Sequence, residues 1–192
     1  MTVILRTSLL MLLMALPFTQ VRAADDSDYA KALEVFKSAG ESSHYFKSAY
    51  GYALFPTVGK AGFVMGGGAR GKGRVYKQER QIGDTTLTQL SIGPQMGGQA
   101  YSEIIFFEDK RALDEFTGGN FEFGAQASAV VITASASGTA STTGSSAGAS
   151  GGQHDASTVG TYYKGMAVFT VAKGGLMYEA SVGGQKFSYK PL

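Results

Sequence analysis

The densest run of residues able to do chemistry is Gly66-Gly-Gly-Ala-Arg-Gly71-Lys72-Gly73. Gly66, Gly68 and Gly71 satisfy G-x-G-x-x-G. Gly66, Gly71 and Lys72 satisfy most of a phosphate loop, with Gly73 standing where a Ser or Thr would hold magnesium. Both patterns work by aiming the amides of a helix N-terminus at a phosphate. Here the strand-like Arg74-Val-Tyr76 follows and no βαβ unit surrounds it, so the run does not point to a nucleotide. What it does carry is charge. Lys60, Arg70, Lys72, Arg74, Lys77 and Arg80 fall within 60–80, opposed only by Glu79. At alternate strand positions Arg70, Lys72 and Arg74 share one face, and the glycines between them would let an anionic headgroup approach the backbone. Each basic residue near a lipid surface contributes about 1 kcal/mol. The competing reading is a solvated strand whose charges keep a sheet edge from aggregating. The residues alone leave both open.

Other candidates for chemistry are thin. The two histidines are His44, on an expected surface helix, and His154, in a stretch of small residues that could not hold a site rigid. The many serines over 134–157 have no rigid base beside them. No H-E-x-x-H, G-x-S-x-G or paired-carboxylate spacing is present. Cysteine is absent, which excludes disulfides, a thiolate nucleophile and zinc–thiolate sites. Glu103 and Glu122 lie in expected strands as inward-facing polar candidates, with nothing to make them a pair. The expectation is no catalytic residue, no metal and no cofactor.

The elements that must carry these residues read as follows. Asp25-Asp-Ser-Asp28 offers N-caps for a helix with the apolar stripe Ala32, Leu33, Phe36 and Ala39, closed by Gly40. A second short helix starts at Ser42 or Ser43, and Pro56 stops helical structure at Phe55. From Gly62 strands dominate: 62–65, 74–76, 85–92, 98–107 and 120–132. Asp109–Phe116 forms a short inserted helix. A final meander follows at 161–163, 165–171, 175–181 and 185–189, with glycine pairs at its joints. The fold class is mainly β (α+β). It is a single antiparallel glycine-rich sheet, barrel-like or nearly closed because glycine-rich strands bend sharply, with N-terminal helices and one inserted short helix. Residues 133–158 are Ala, Ser, Gly and Thr almost throughout and read as a flexible loop.

Composition sets the compartment and the partners. Residues 1–23 have Arg6, the short apolar run 9–16 and Val21-Arg-Ala23, the order of parts of a signal peptide. The expected domain is then 24–192, exported, periplasmic or secreted. Of the 17 basic residues Arg6 and Arg22 would leave with the leader, and none of the 15 acidic ones, so the remainder is formally neutral. Neutrality, with no recognised fold signature, argues against nucleic acid. Electrostatic binding must come from a local patch.

Ala49-Tyr-Gly-Tyr-Ala-Leu-Phe-Pro-Thr-Val-Gly-Lys-Ala-Gly-Phe-Val-Met-Gly-Gly-Gly68 resembles the SYLF family of lipid-binding domains. The resemblance continues through Tyr101–Phe107, Ala112–Phe116, Gly165–Phe169 and Gly174–Phe187. It implies one β-rich domain with flanking helices that binds lipid of the phospholipid or phosphoinositide type without enzymatic activity. Eukaryotic members are similar to phosphoinositide binders, some of which also bind actin. For an exported chain the resemblance implies an envelope phospholipid rather than actin. The family's lipid contact is attributed to a basic amphipathic N-terminal helix. The matching helix here, Ser27–Ala39, has only Lys31 and Lys37 as cations, a departure from that pattern. The expected lipid-binding residues are Lys31, Phe36 and Lys37 on the helix with Lys60, Arg70, Lys72, Arg74 and Lys77 beyond it. The alternative is a structural outer-membrane β-barrel or envelope component, which alternating strands rich in Gly and Tyr would suit.

Overall fold

The computed structural model describes residues 24–123, 130–132, 162–179 and 182–192. The expected leader 1–23, the expected loop 133–158 and His154 lie outside them. Three helices open the described chain: α1 (Asp26–Ser38), α2 (Gly40–Ser43) and α3 (Tyr45–Ser48). Asp25 caps α1, accepting from the Asp28 amide while Asp28 reaches back to the Asp25 amide. Four long strands follow: β1 (Gly51–Phe63), β2 (Gly66–Lys77), β3 (Arg80–Ile92) and β4 (Gln95–Phe107). Then come α4 (Lys110–Thr117), the short β5 (Asn120–Phe123) and β6 (Val130–Ile132), and the closing β7 (Met166–Glu179) and β8 (Val182–Pro191). The strands form one sheet in the order β5-β8-β3-β2-β1-β4-β7-β6. Every pairing is antiparallel except β6 with β7.

β1 begins at Gly51, well before the strand expected at Gly62. Tyr52-Ala-Leu-Phe55 is buried on both faces, the condition in which a strand loses the alternation that reveals it. Pro56 does not end it. The ladders to β2 and β4 both shift register around this residue, and a bulge is where a central strand tolerates a residue with no N–H. The Pro56 carbonyl is satisfied by the Ser102 hydroxyl at 2.7 Å and Lys173 Nζ at 3.1 Å.

Each sheet face has its own core. On one, Tyr29, Ala32 and Phe36 of α1 and Tyr45 of α3 pack on Tyr52, Leu54, Ile104, Phe106 and Phe169. On the other, Ala53, Phe55, Val75, Leu87, Ile105, Phe107 and Phe187 surround Ala112, Leu113 and Phe116 of α4. This second face is concave. Phe55 of β1 and Phe187 of β8 approach to 5.7 Å between ring centres, and Gln185 of β8 reaches Glu103 of β4 at 3.1 Å. In a flat sheet β8 would lie about 14 Å from β1, three places away, and about 19 Å from β4, four places away. The sheet therefore curls strongly, but it is not closed, contrary to the barrel-like expectation. β5 and β6 are its two edges. The physical reason is α4, whose buried side chains sit between Phe107 and Phe187 and occupy the concavity that closure would need. The outer-membrane barrel alternative requires a closed ladder, because free edges in hydrocarbon leave backbone groups unsatisfied. Among the described residues no helix is long and apolar enough to cross a membrane.

Candidate lipid-binding surface

The basic residues of β2 alternate with small ones. Ala69, Gly71, Gly73 and Val75 are buried in the concave face, so Arg70, Lys72 and Arg74 project from the convex one. The glycines have a different role from the one expected. A Cβ on Gly71 would lie 2.7 Å from Val58 Cγ2, and one on Gly73 would lie 2.5 Å from Phe55 Cδ1. They leave room for core side chains on the far face and do not open a path for a headgroup on the charged face.

The expected lipid contacts divide by what they touch. Arg74 is a fastener: its Nη2 is 2.7 Å from Asp26 Oδ1 and its guanidinium lies 4.0 Å above the Tyr29 ring. Tyr29 completes the joint, donating from its hydroxyl to the Lys72 carbonyl at 3.5 Å. Burial pushes this phenol up to about 12, so it stays protonated and able to donate. Lys77 lies 4.9 Å over the Tyr50 ring. Lys37 sits 3.9 Å from Glu79 and 5.6 Å from the Phe46 ring. Phe36 is fully buried, so its side chain belongs to the helix–sheet core and is not presented to a membrane. Lys31, Arg70 and Lys72 are exposed, and Lys60 is half-buried opposite Ala69.

Beside the α1 joint is a cleft of about 370 Å³ lined by Tyr29, Lys72, Arg74, Asp84, Thr86 and Lys190 among others. Its charge is mixed, because Asp84 faces the cations and Asp26 already holds Arg74. The excess of positive charge lies further along β2, at Lys72 and Arg70.

Beyond Arg70 none of the described residues covers the sheet. Phe63, Val64, Met65, Leu90, Ile92 and Met96 are each between 62% and 78% exposed. They cluster at the paired ends of the β1–β2 and β3–β4 hairpins. The sequence reads as a short apolar strand at 62–65 and as an alternating strand with one buried face at 85–92, which does not reveal these exposed side chains. The signal was in the phase: Leu87 is buried, whereas Leu90 and Ile92 have the opposite parity and face outward.

Of the two strand carboxylates, Glu122 is exposed and pairs with Lys186 at 3.0 Å, while Glu103 is fully buried in the concave face. Gln185 Nε2 donates to Glu103 Oε2, and Oε1 has no hydrogen-bond partner among the described residues. Burial pushes this carboxyl up to about 8, the Gln185 hydrogen bond opposing. Sealed from solvent, it is not presented to a substrate. Among the described residues no group of three or more His, Cys, Asp or Glu is placed to hold a metal ion.

The profile of the Ysc84 family, described as Las17-binding protein actin regulator, matches residues 88–190, more than half of the chain. The chain belongs to the SYLF (Ysc84) family. It is also similar to Beta cell expansion factor A of Aeromonas veronii, at 24% identity over 158 residues. That alignment covers 81% of this chain and 51% of the relative, so the chain spans about half the length of the curated relative it matches. No solved structure matches. The SYLF match takes in Leu90, Ile92, Met96 and Glu103, whereas Arg70 and Lys72 precede it. The cationic stripe therefore rests on the geometry of this SYLF domain alone.

Proposed function

We propose that this SYLF domain is an exported, non-enzymatic phospholipid-binding module of the cell envelope. The observation that carries the reading is the convex stripe of β2. Arg70 and Lys72 stand exposed on one face, in a stretch from 60 to 78 that contains no carboxylate. Exposed cations such as these, with Asp84 opposite Arg74 at the cleft end and Glu122 already paired with Lys186, are attracted to anionic lipid headgroups. Membership of a family of binding domains supports a role without catalysis. The leader-like segment 1–23 is the reason for assigning export.

The test is co-sedimentation of the chain lacking 1–23 with vesicles of phosphatidylcholine alone and of phosphatidylcholine with phosphatidylglycerol. Binding is expected only to the anionic vesicles and should weaken with salt. At about 1 kcal/mol per basic residue, Arg70→Ala with Lys72→Ala should weaken it about 30-fold. Recovery in the supernatant with every lipid mixture would reject the reading, and pelleting with actin filaments alone would replace it with the activity named in the family description.

A further inference from the structure

The six exposed apolar side chains beyond Arg70 are too concentrated for ordinary surface, since contiguous exposed apolar patches mark interaction sites. Phe63 of β1 and Ile92 of β3 flank Gly66 of β2 in one ladder row, Ala61 and Leu90 flank Gly68 in another, Val64 and Met65 form the β1–β2 turn, and Met96 lies at the start of β4. We propose that the joined ends of the β1–β2 and β3–β4 hairpins insert into the acyl layer of an anionic bilayer, with Arg70 at the level of the phosphates. The proposal rests on the lipid-binding reading above and names the part of the domain that enters the lipid.

Four observations favour lipid over water or a second copy of the chain. The first is backbone satisfaction, which hydrocarbon demands. The Gly93 amide donates to the Met65 carbonyl at 3.1 Å and the Gln95 amide to the Val64 carbonyl at 3.0 Å, lacing the two hairpin ends together. Buried Gln95 turns its side-chain amide to the carbonyls of Ser91 and Gly93, both at 3.3 Å, and Pro94 has no N–H to satisfy. The second is strain. Val64 sits at φ 44, where a β-branched residue is an outlier and where a tight hairpin ordinarily places Asn or Gly. An apolar side chain is kept at the turn despite that conformation.

The third observation is charge. Residues 60–70 and 87–102 contain Lys60 and Arg70 and no Asp or Glu. Among the described residues two carboxylates have their backbone at this end: Glu179, opposite Gln95, and Glu122, in the ladder row of Arg70 and already paired with Lys186. A second copy meeting the same patch would bring Arg70 toward its own equivalent, whereas a lipid phosphate complements it. The fourth is length. From Gly66 to Arg70 the strand rises about 13 Å, within the roughly 15 Å depth of one leaflet's hydrocarbon.

The chain has no tryptophan, so Phe63→Trp makes a single fluorescent reporter at the tip and Val35→Trp one on exposed α1. With phosphatidylglycerol-containing vesicles the Phe63→Trp emission should shift to the blue and be quenched by lipids brominated on their acyl chains, while Val35→Trp should do neither. The pair Phe63→Ser and Ile92→Ser should lower vesicle binding at least tenfold with far-UV circular dichroism and melting temperature unchanged. If the unsubstituted chain binds vesicles but the tip reporter stays unquenched, or the serine pair binds as well as the parent, the insertion proposal is overturned and lipid binding stands. If the parent binds no vesicle, lipid binding itself fails. A parent dimer that the serine pair dissolves, with vesicle binding untouched, would make the tip a self-association surface and also overturn the proposal.

Discussion

At the scale of single residues, Glu103 has the clearest measurable consequence. Its carboxyl, raised from an ordinary value near 4.5 to about 8, holds its proton in the folded protein at pH values where the unfolded chain has released it. The folded state thus binds more protons, so this group's contribution to stability is greatest below about 4.5 and is lost as pH rises toward 8. The loss runs at about 1.4 kcal/mol per pH unit across that window and levels off above it. Glu103→Gln should remove this slope, leaving thermal stability near that of the parent at pH 5 and above it at pH 8. Melting curves between pH 5 and 9 that fall in parallel for the two proteins would contradict this. From sequence, Glu103 was legible as an inward-facing polar residue. Its isolation was not, because it depends on β8 curling across to β4. The split among the cations was equally hidden. Nothing in the type or spacing of Arg74 distinguishes it from Arg70, and only the arrival of Asp26 and Tyr29 makes one a fastener and leaves the other exposed.

Among the elements, β2 shows how a strand can serve two faces. Its glycines admit Phe55 and Val58 from β1, and its basic residues face outward. Gly73→Ala should therefore cost about 1–3 kcal/mol, since its new methyl would meet Phe55 ring atoms and the Leu54 carbonyl inside 3 Å. Gly59→Ala, with nothing within 4 Å of the added atom, should stay within about 0.5 kcal/mol of the parent. Urea unfolding of the two variants checks the contrast, and equal costs would show that the glycines are not there for packing. The start of α1 at its acidic caps was readable because capping is local chemistry. The start of β1 was not. Both faces of Tyr52–Phe55 are buried by partners distant in sequence, and Pro56 misleads unless the bulge is known. The opposite phases of Leu87 and of Leu90 and Ile92 were on the page as sequence, but they acquire meaning only when the cover of the sheet is seen to end between them.

At the scale of the whole molecule, the described residues pack one end of the sheet on both faces and leave the other end bare. Helices α1 to α3 and α4 cover the start of β1 and the end of β4, and neither layer reaches the hairpin ends. Amide exchange should follow this polarity. The amides of Ala53–Phe55 and Ile104–Phe106 should exchange only through global unfolding, and those of Gly66–Gly68 through smaller openings. Uniform protection along β1 and β2 would refute the gradient. A mainly β fold with leading helices could be read from composition and glycine placement. Openness could not, because glycine-rich strands permit closure as well as curling, and the residues that prevent it belong to a helix whose docking site is set by the curled sheet.

The ties between the Met65 and Gly93 turns and between Val64 and Gln95 have a thermodynamic consequence. A segment that arrives at a bilayer already hydrogen-bonded has little conformational freedom left to surrender, in contrast to a peptide that must coil into a helix on arrival. Adhesion by such a preformed prow would draw on desolvation of its apolar side chains with almost no ordering penalty set against it, and the secondary structure of the bound and free protein would be the same.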